Sequence, residues 1–333
     1  MKRFWWLGLL VGLMLFYGVL RSCDLAAVWQ QVRGLQWRFG LILLFYGVIF
    51  GLDTLGWRFT LTPWAQSRVR WDRLFRARLA GEAVNYVTPT AWIGGEPVKA
   101  VLLFRRYGVP LADGMASVVV AKTTFSFSMF LFIVMGILVT LLTQPVNALL
   151  LRWVWIALSG LGVLLGLFLA AQFLKPFGRA ASLMFPSREV PPSGGASMVN
   201  QVVPGWLRLI GSKVQEWDQR IVQFYRQSPK ALFLSIGFHF LGWMAGIVEV
   251  YLILYFLKIP VSLATAWSIE ALWILLKSGA FLIPASLGAS EGFLIFVCLG
   301  LGINAVSALA LGLVRRAREL TWMGLGLVEF VRG

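Results

Sequence analysis

Pro89-Thr90-Ala91-Trp92-Ile93-Gly94-Gly95-Glu96-Pro97 interrupts an apolar stretch running from about residue 79 to 107. Proline removes a backbone donor and glycine weakens a helix, so one continuous helix through this block is not expected. Two short helices meeting at a break are expected instead, folded back as a re-entrant hairpin. A second apolar stretch, about 262–301, is interrupted in the same way around Pro284 and Gly288. Irregular backbone persists at membrane depth only where protein or water satisfies its polar groups. Both breaks therefore imply an interior that is built around them.

That the surroundings are a membrane follows from composition. The 333 residues are 59% hydrophobic and only 13% charged, too little polar surface to cover a soluble core of this size. Runs such as Leu131 to Leu142 and Leu158 to Ala171 belong to stretches long enough to cross roughly 30 Å of hydrocarbon as helices. Sixteen tryptophans suit a chain that crosses the headgroup region repeatedly. The net charge of +16 fits basic cytoplasmic loops, and no aromatic-basic single-strand motif points to nucleic acid. Cys23 and Cys298 have neither metal-ligand spacing nor a disulfide framework and read as packing residues. Met1-Lys2-Arg3 and the apolar run to Leu20 imitate a signal peptide. Arg21 stands where a small cleavage-site residue is wanted, so an uncleaved first span is expected.

The expected fold is an all-α polytopic membrane protein with about six full spans, near 4–20, 39–57, 111–143, 149–174, 231–257 and 303–330, plus the two hairpins. With both termini in the cytoplasm, Arg58, Arg68, Arg70, Arg73, Arg76, Arg78, Arg105 and Arg106 fall inside. So does the connection from Lys175 to Lys230, while Arg21, Arg33, Arg38 and Lys258 fall outside. Within that connection Pro186 to Pro204 reads as a flexible linker. Leu207, Ile210, Val214, Trp217, Ile221 and Phe224 follow at alternating spacings of three and four, an amphipathic helix for the inner interface or the end of the bundle.

The two breaks share an order of residues. Proline precedes glutamate by seven positions in both, Pro89 to Glu96 and Pro284 to Glu291, and an ionisable residue, Glu82 or Lys277, precedes each proline by seven. A short apolar stretch, a glycine (Gly108 or Gly302) and a long span follow, the span carrying Lys122 in one copy and Arg315 and Arg316 in the other. This reads as a duplication: a first repeat at about 72–143, a cytoplasmic linker and amphipathic helix at about 178–229, and a second repeat at about 262–331. Three full spans between the hairpins turn the second copy upside down, the inverted build that recurs in secondary transporters.

Charges inside apolar spans are costly and face a cavity or a partner. The candidates are Glu82, Glu96, Lys122, Glu249, Glu270, Lys277, Glu291, Arg315, Arg316 and Glu319. Glu270 and Lys277 lie two turns apart on one helical face, and Arg315 and Glu319 have the spacing of a helical ion pair. Broken helices present backbone N–H groups to anions. Gly94, Gly95 and Gly288 would let a ligand approach the backbone, and Lys122, Arg315 and Arg316 offer countercharge to a phosphate. Glu96 and Glu291 either bind a coupling proton or orient those cations. His239, the single histidine, reads as packed and hydrogen-bonded rather than as a base; Asp53 reads as interfacial; Trp92 is a gate or a packing wedge.

Thr88-Pro89 through Gly94-Gly95-Glu96-Pro97-Val98-Lys99-Ala100, Ala121-Lys122-Thr123, and Ile283-Pro284 through Gly288 to Glu291-Gly292 resemble the lysylphosphatidylglycerol synthase transmembrane-region family, also called flippase-like membrane proteins. The resemblance runs from about residue 40 to the end. His239-Phe240-Leu241-Gly242-Trp243 with Glu249 resembles the subgroup associated with bacterial hopanoid biosynthesis. Ala285-Ser286 stands where a glycine is common in the second break. The resemblance implies a bacterial inner-membrane protein moving lipids between leaflets, with membrane lipids such as anionic phospholipid or hopanoid, and lipid-biosynthesis proteins, as partners. Since the sequence ends at Gly333 without a synthase domain, aminoacyl-transfer activity is not expected. No cofactor or metal is implied: there is no histidine pair, Asp-rich motif or nucleotide-binding motif. The alternatives are a scaffold for a lipid-biosynthetic complex and a membrane-embedded lipid-modifying enzyme.

Overall fold

The computed structural model describes residues 2–88, 94–144, 148–174, 205–280 and 283–332, and every regular element among them is helical. The helices are α1 (Lys2–Arg21), α2 (Leu25–Arg33), α3 (Arg38–Arg58), α4 (Pro63–Arg68), α5 (Trp71–Val87), α6 (Gly95–Tyr107), α7 (Leu111–Thr143), α8 (Ala148–Leu174), α9 (Gly205–Gln227), α10 (Pro229–Phe256), α11 (Leu263–Ser278), α12 (Ala289–Gly300) and α13 (Ala305–Val331). Their starts carry local signals. Asp24, Thr62, Ser262 and Asn304 cap α2, α4, α11 and α13 with side-chain oxygens, and Gly108 closes α6 at φ +69°.

All the stretches expected to span are helical. Three of them, α3, α7 and α10, are long and apolar enough to cross a membrane by themselves, and α1 with α2 makes a fourth if that pair, bent by 89°, is one span. α13 has the length, but Arg315, Arg316, Arg318 and Glu319 crowd its middle. The expected spans thus differ in how many charges they carry: α3, α7 and α10 hold one or two each within an apolar run, while α13 holds four in its middle that need internal partners.

Each break separates two helices that pack against each other. α5 and α6 approach so closely that a Cβ on Gly95 would lie 1.8 Å from the Gly81 carbonyl oxygen. Across the second break, Trp273 Nε1 of α11 donates to Ser290 O of α12 at 2.9 Å. At 1.5 Å per residue, α6 with 13 residues and α12 with 12 reach only about 20 Å, short of a bilayer core. Pro89 and Trp92 lie outside the described residues. Pro284 opens a single 3-10 turn, Pro284–Ser286, after which Gly288 sits at φ +73°.

The packing between the two halves is reciprocal. α5 lies on α13, and α11 lies on α7. Each crossing is made close by a glycine of the longer helix: a Cβ on Gly326 would be 2.4 Å from Leu79 O, and one on Gly136 would be 2.3 Å from Ala271 Cβ. α6 packs on α7 as α12 packs on α13, and α3 and α10 pair with each other. α1 covers the second break, with Gly12 and Phe16 against Ile283, Leu287 and Gly288. α9 lies on α7 through Ile221, Phe224 and Tyr225 and is tied there by Arg220 Nε to Asp113 Oδ1 at 3.4 Å. The linker expected at Pro186 to Pro204 lies outside the described residues.

Candidate functional site

Among α3, α5, α6, α7, α10, α11 and α13 lies a cavity of about 250 Å³. Its wall carries four carboxylates, Asp53, Glu82, Glu96 and Glu319, and four cations, Arg78, Lys99, Lys122 and Lys277, together with Asn85, Tyr86 and His239. Phe50, Trp57, Phe125 and Trp322 supply its apolar faces. Charges at this depth persist only when paired, and here the pairing is dense.

The first hairpin contributes a compact network. Lys99 Nζ sits 2.6 Å from Glu82 Oε1 and 3.1 Å from Glu96 Oε2, so α6 is locked to α5 through one ammonium group. Lys122 Nζ of α7 reaches Glu96 Oε1 at 3.6 Å and lies over the Phe125 ring. Asn85 fills the remaining valences: its Oδ1 accepts from Gly95 N at 2.7 Å, and its Nδ2 donates to both Glu82 and Glu96. The start of α6 is thus capped by a side chain of α5.

The second hairpin meets α13 in a matching way. Glu291 accepts from Arg316 Nε at 2.9 Å and Nη2 at 2.6 Å, while its other oxygen caps Gly288 N at 2.9 Å. Arg316 Nη1 continues to Ala285 O and to the Tyr86 hydroxyl, which in turn donates to Glu319. Arg315 forms a bidentate pair with Glu270 at 2.6 and 2.9 Å and stacks on Trp273. Arg318 is bonded to Glu249 and stacks on Tyr46. Glu319, on the cavity wall, is shared by Arg318 at 3.5 Å, Arg316 at 3.6 Å and Lys277 at 3.8 Å.

At the far side of the cavity, α3 and α10 bring Asp53 and His239 together, with Nδ1 to Oδ1 at 3.0 Å. Arg78 of α5 holds the other oxygen of Asp53 at 3.0 Å and lies over Phe50.

A sequence profile of the lysylphosphatidylglycerol synthase TM region matches residues 5–327. The chain belongs to this family. A UPF0104 membrane protein of Methanothermobacter thermautotrophicus is 25% identical over 292 residues, 83% of this chain and 79% of its own length. No solved structure matches. A membrane family and apolar helices agree: this lysylphosphatidylglycerol synthase TM region protein is embedded in a membrane.

Within this family member, the cavity gathers Glu82, Glu96, Lys122, Lys277 and Glu319 from the expected candidates, with His239. Glu249, Glu270, Glu291, Arg315 and Arg316 stand behind that wall as buried ion pairs, so Lys122 does not share it with Arg315 and Arg316. Several expectations are corrected. Asp53 is 8% exposed and paired on two sides, not interfacial, and Arg78 turns inward to meet it rather than facing the cytoplasm. Arg315 pairs with Glu270, not with Glu319 one turn along. Gly95 and Gly288 admit protein backbone, not ligand: Gly95 meets Gly81, and a Cβ on Gly288 would be 2.3 Å from Phe16 N. Gly94 immediately precedes α6. The sequence reading gives no site role to Lys99, Arg318, Asn85 or Tyr86. A signal for Lys99 exists, since it stands one turn after Glu96 within the Gly-Gly-Glu-Pro block.

Proposed function

We propose that the chain is a lipid flippase or transporter of the bacterial inner membrane, with both termini in the cytoplasm and two re-entrant hairpins in an inverted repeat. The observation that carries this reading is the charged cavity, whose wall draws Glu96, Lys99 and Lys122 from the first repeat and Lys277 and Glu319 from the second. The reciprocal packing of α5 on α13 and α11 on α7 supports the repeat. So do the Glu96–Lys122 and Glu291–Arg316 pairs, which join each hairpin glutamate to a cation on the long helix of its own repeat, at the same chain separation to within one residue. A polar headgroup enters the cavity while its tails remain in lipid, and rocking of one repeat against the other opens the site to each leaflet in turn. The substrate class is a membrane lipid. A link to hopanoid lipids rests on the resemblance around His239 to Trp243 and Glu249.

The test is leaflet exchange of headgroup-labelled lipids in proteoliposomes, comparing the unaltered chain with Glu96→Ala and Glu291→Ala. Exchange above that of empty vesicles, lost in both inserted variants, is the expected result. No exchange across a panel of anionic phospholipids and hopanoid lipids would transfer the reading to a scaffold or a lipid-modifying enzyme.

A further inference from the structure

His239 keeps one ring nitrogen unused. A carboxylate oxygen only accepts, so the 3.0 Å contact with Asp53 places the proton on Nδ1 and leaves the lone pair on Nε2. Nε2 has no hydrogen-bond partner, although the residue is 0% exposed and forms part of the cavity wall. Buried imidazoles with a purely structural role ordinarily have their polar atoms satisfied. The site is also built for this pair. A Cβ on Gly56 of α3 would lie 2.7 Å from Nε2, and one on Gly242 of α10 would lie 2.9 Å from Asp53 Oδ1. Two glycines thus clear the space that Asp53 and His239 occupy.

We propose that His239 Nε2 is a proton-binding site that couples lipid movement through the cavity to a proton gradient, the proton travelling with a headgroup phosphate. This rests on the transporter reading above. With a neutral imidazole the four carboxylates and four cations of the wall cancel. One proton on Nε2 leaves an excess of one positive charge, the complement of one phosphodiester. The Nδ1–H stays bonded to Asp53; Nε2, closed off against Gly56 here, meets a phosphate oxygen when rocking of the repeats opens the cavity, and its new N–H then donates to it. Asp53 from α3 bonds the ring and Phe125 from α7 meets it edge-on, while Arg78 and Glu82 from α5, Glu96 and Lys99 from α6, and Lys122 from α7 share its cavity wall. A phosphate in the cavity adds negative charge, and by linkage the proton then tightens phosphate binding by the same factor.

Because the chain has a single histidine, isotope-labelled histidine reports this one ring in a nanodisc, provided no histidine tag is used. The ring is expected to change ionisation between about pH 5 and about pH 8, with a higher midpoint in phosphatidylglycerol than in phosphatidylcholine. In proteoliposomes, a one-unit pH difference is expected to bias the leaflet distribution of phosphatidylglycerol by up to about tenfold per proton, and H239Q to lose that bias. A ring fixed in one ionisation state across the range overturns the proposal, as does exchange indifferent to the gradient. A midpoint raised by soluble glycerol phosphate but not by phosphatidylglycerol overturns the coupling to lipid. A chain that exchanges no lipid at equal pH overturns the transporter reading, and this proposal with it.

Discussion

Arg315, Arg316 and Arg318 stand within one turn of α13, yet each meets a carboxylate on a different helix: Glu270 on α11, Glu291 on α12 and Glu249 on α10. Removing one member of a buried pair leaves an uncompensated charge, which costs about 3–5 kcal/mol. Glu249→Ala is therefore expected to lower the thermal midpoint in detergent sharply, while Glu249→Leu with Arg318→Met recovers most of the loss, since it removes both charges. Equal midpoints for the single variant and the unaltered chain would mean that the pair holds nothing together. The sequence shows that charges in an apolar helix need partners, and Arg315 and Arg316 stand out for that reason. It does not show which partner, because that depends on the rotation of α13 against its neighbours. Arg318 follows them by two and three positions, and only the approach of Glu249 and Tyr46 marks it. The same holds for Asp53, which lies just over one turn before Arg58 at the end of α3 and looks interfacial until Arg78 and His239 are brought to it.

At the scale of elements, the breaks were legible and their occupants were not. Proline and glycine mark where a helix stops, and α7 runs from Leu111 to Thr143 as its apolar pattern requires. What fills the space a glycine leaves open is a matter of packing: the backbone of α5 at Gly95 and of α1 at Gly288. Gly95→Ala sets a methyl group against a carbonyl oxygen that cannot turn aside, so α5 and α6 must separate. A loss of stability of about 1–3 kcal/mol is expected, with faster protease cleavage near the first break. Gly160→Ala, with no atom within 4 Å of the added carbon, is the control and should leave the protease pattern unchanged. Cleavage that does not distinguish the two variants would show that the hairpin tolerates a wider spacing.

For the whole molecule, the proposed orientation, with the basic loops in the cytoplasm, has a direct test. Arg226 and Lys258 are both exposed, at positions assigned to opposite faces. With Cys23 and Cys298 replaced by serine, Lys258→Cys should react with an impermeant maleimide in intact cells, and Arg226→Cys only after permeabilisation. The reverse pattern would invert the topology. The chain also has an electrical side. A helix start left open at membrane depth is a resting place for chloride, and two such starts in sequence would form a leak. Here the first amide of α6 is stoppered by Asn85 and the amide of Gly288, ahead of α12, by Glu291. Both helix starts are closed to free anions by side chains of the same molecule, so the breaks interrupt the helices without leaving a bare positive end at either one.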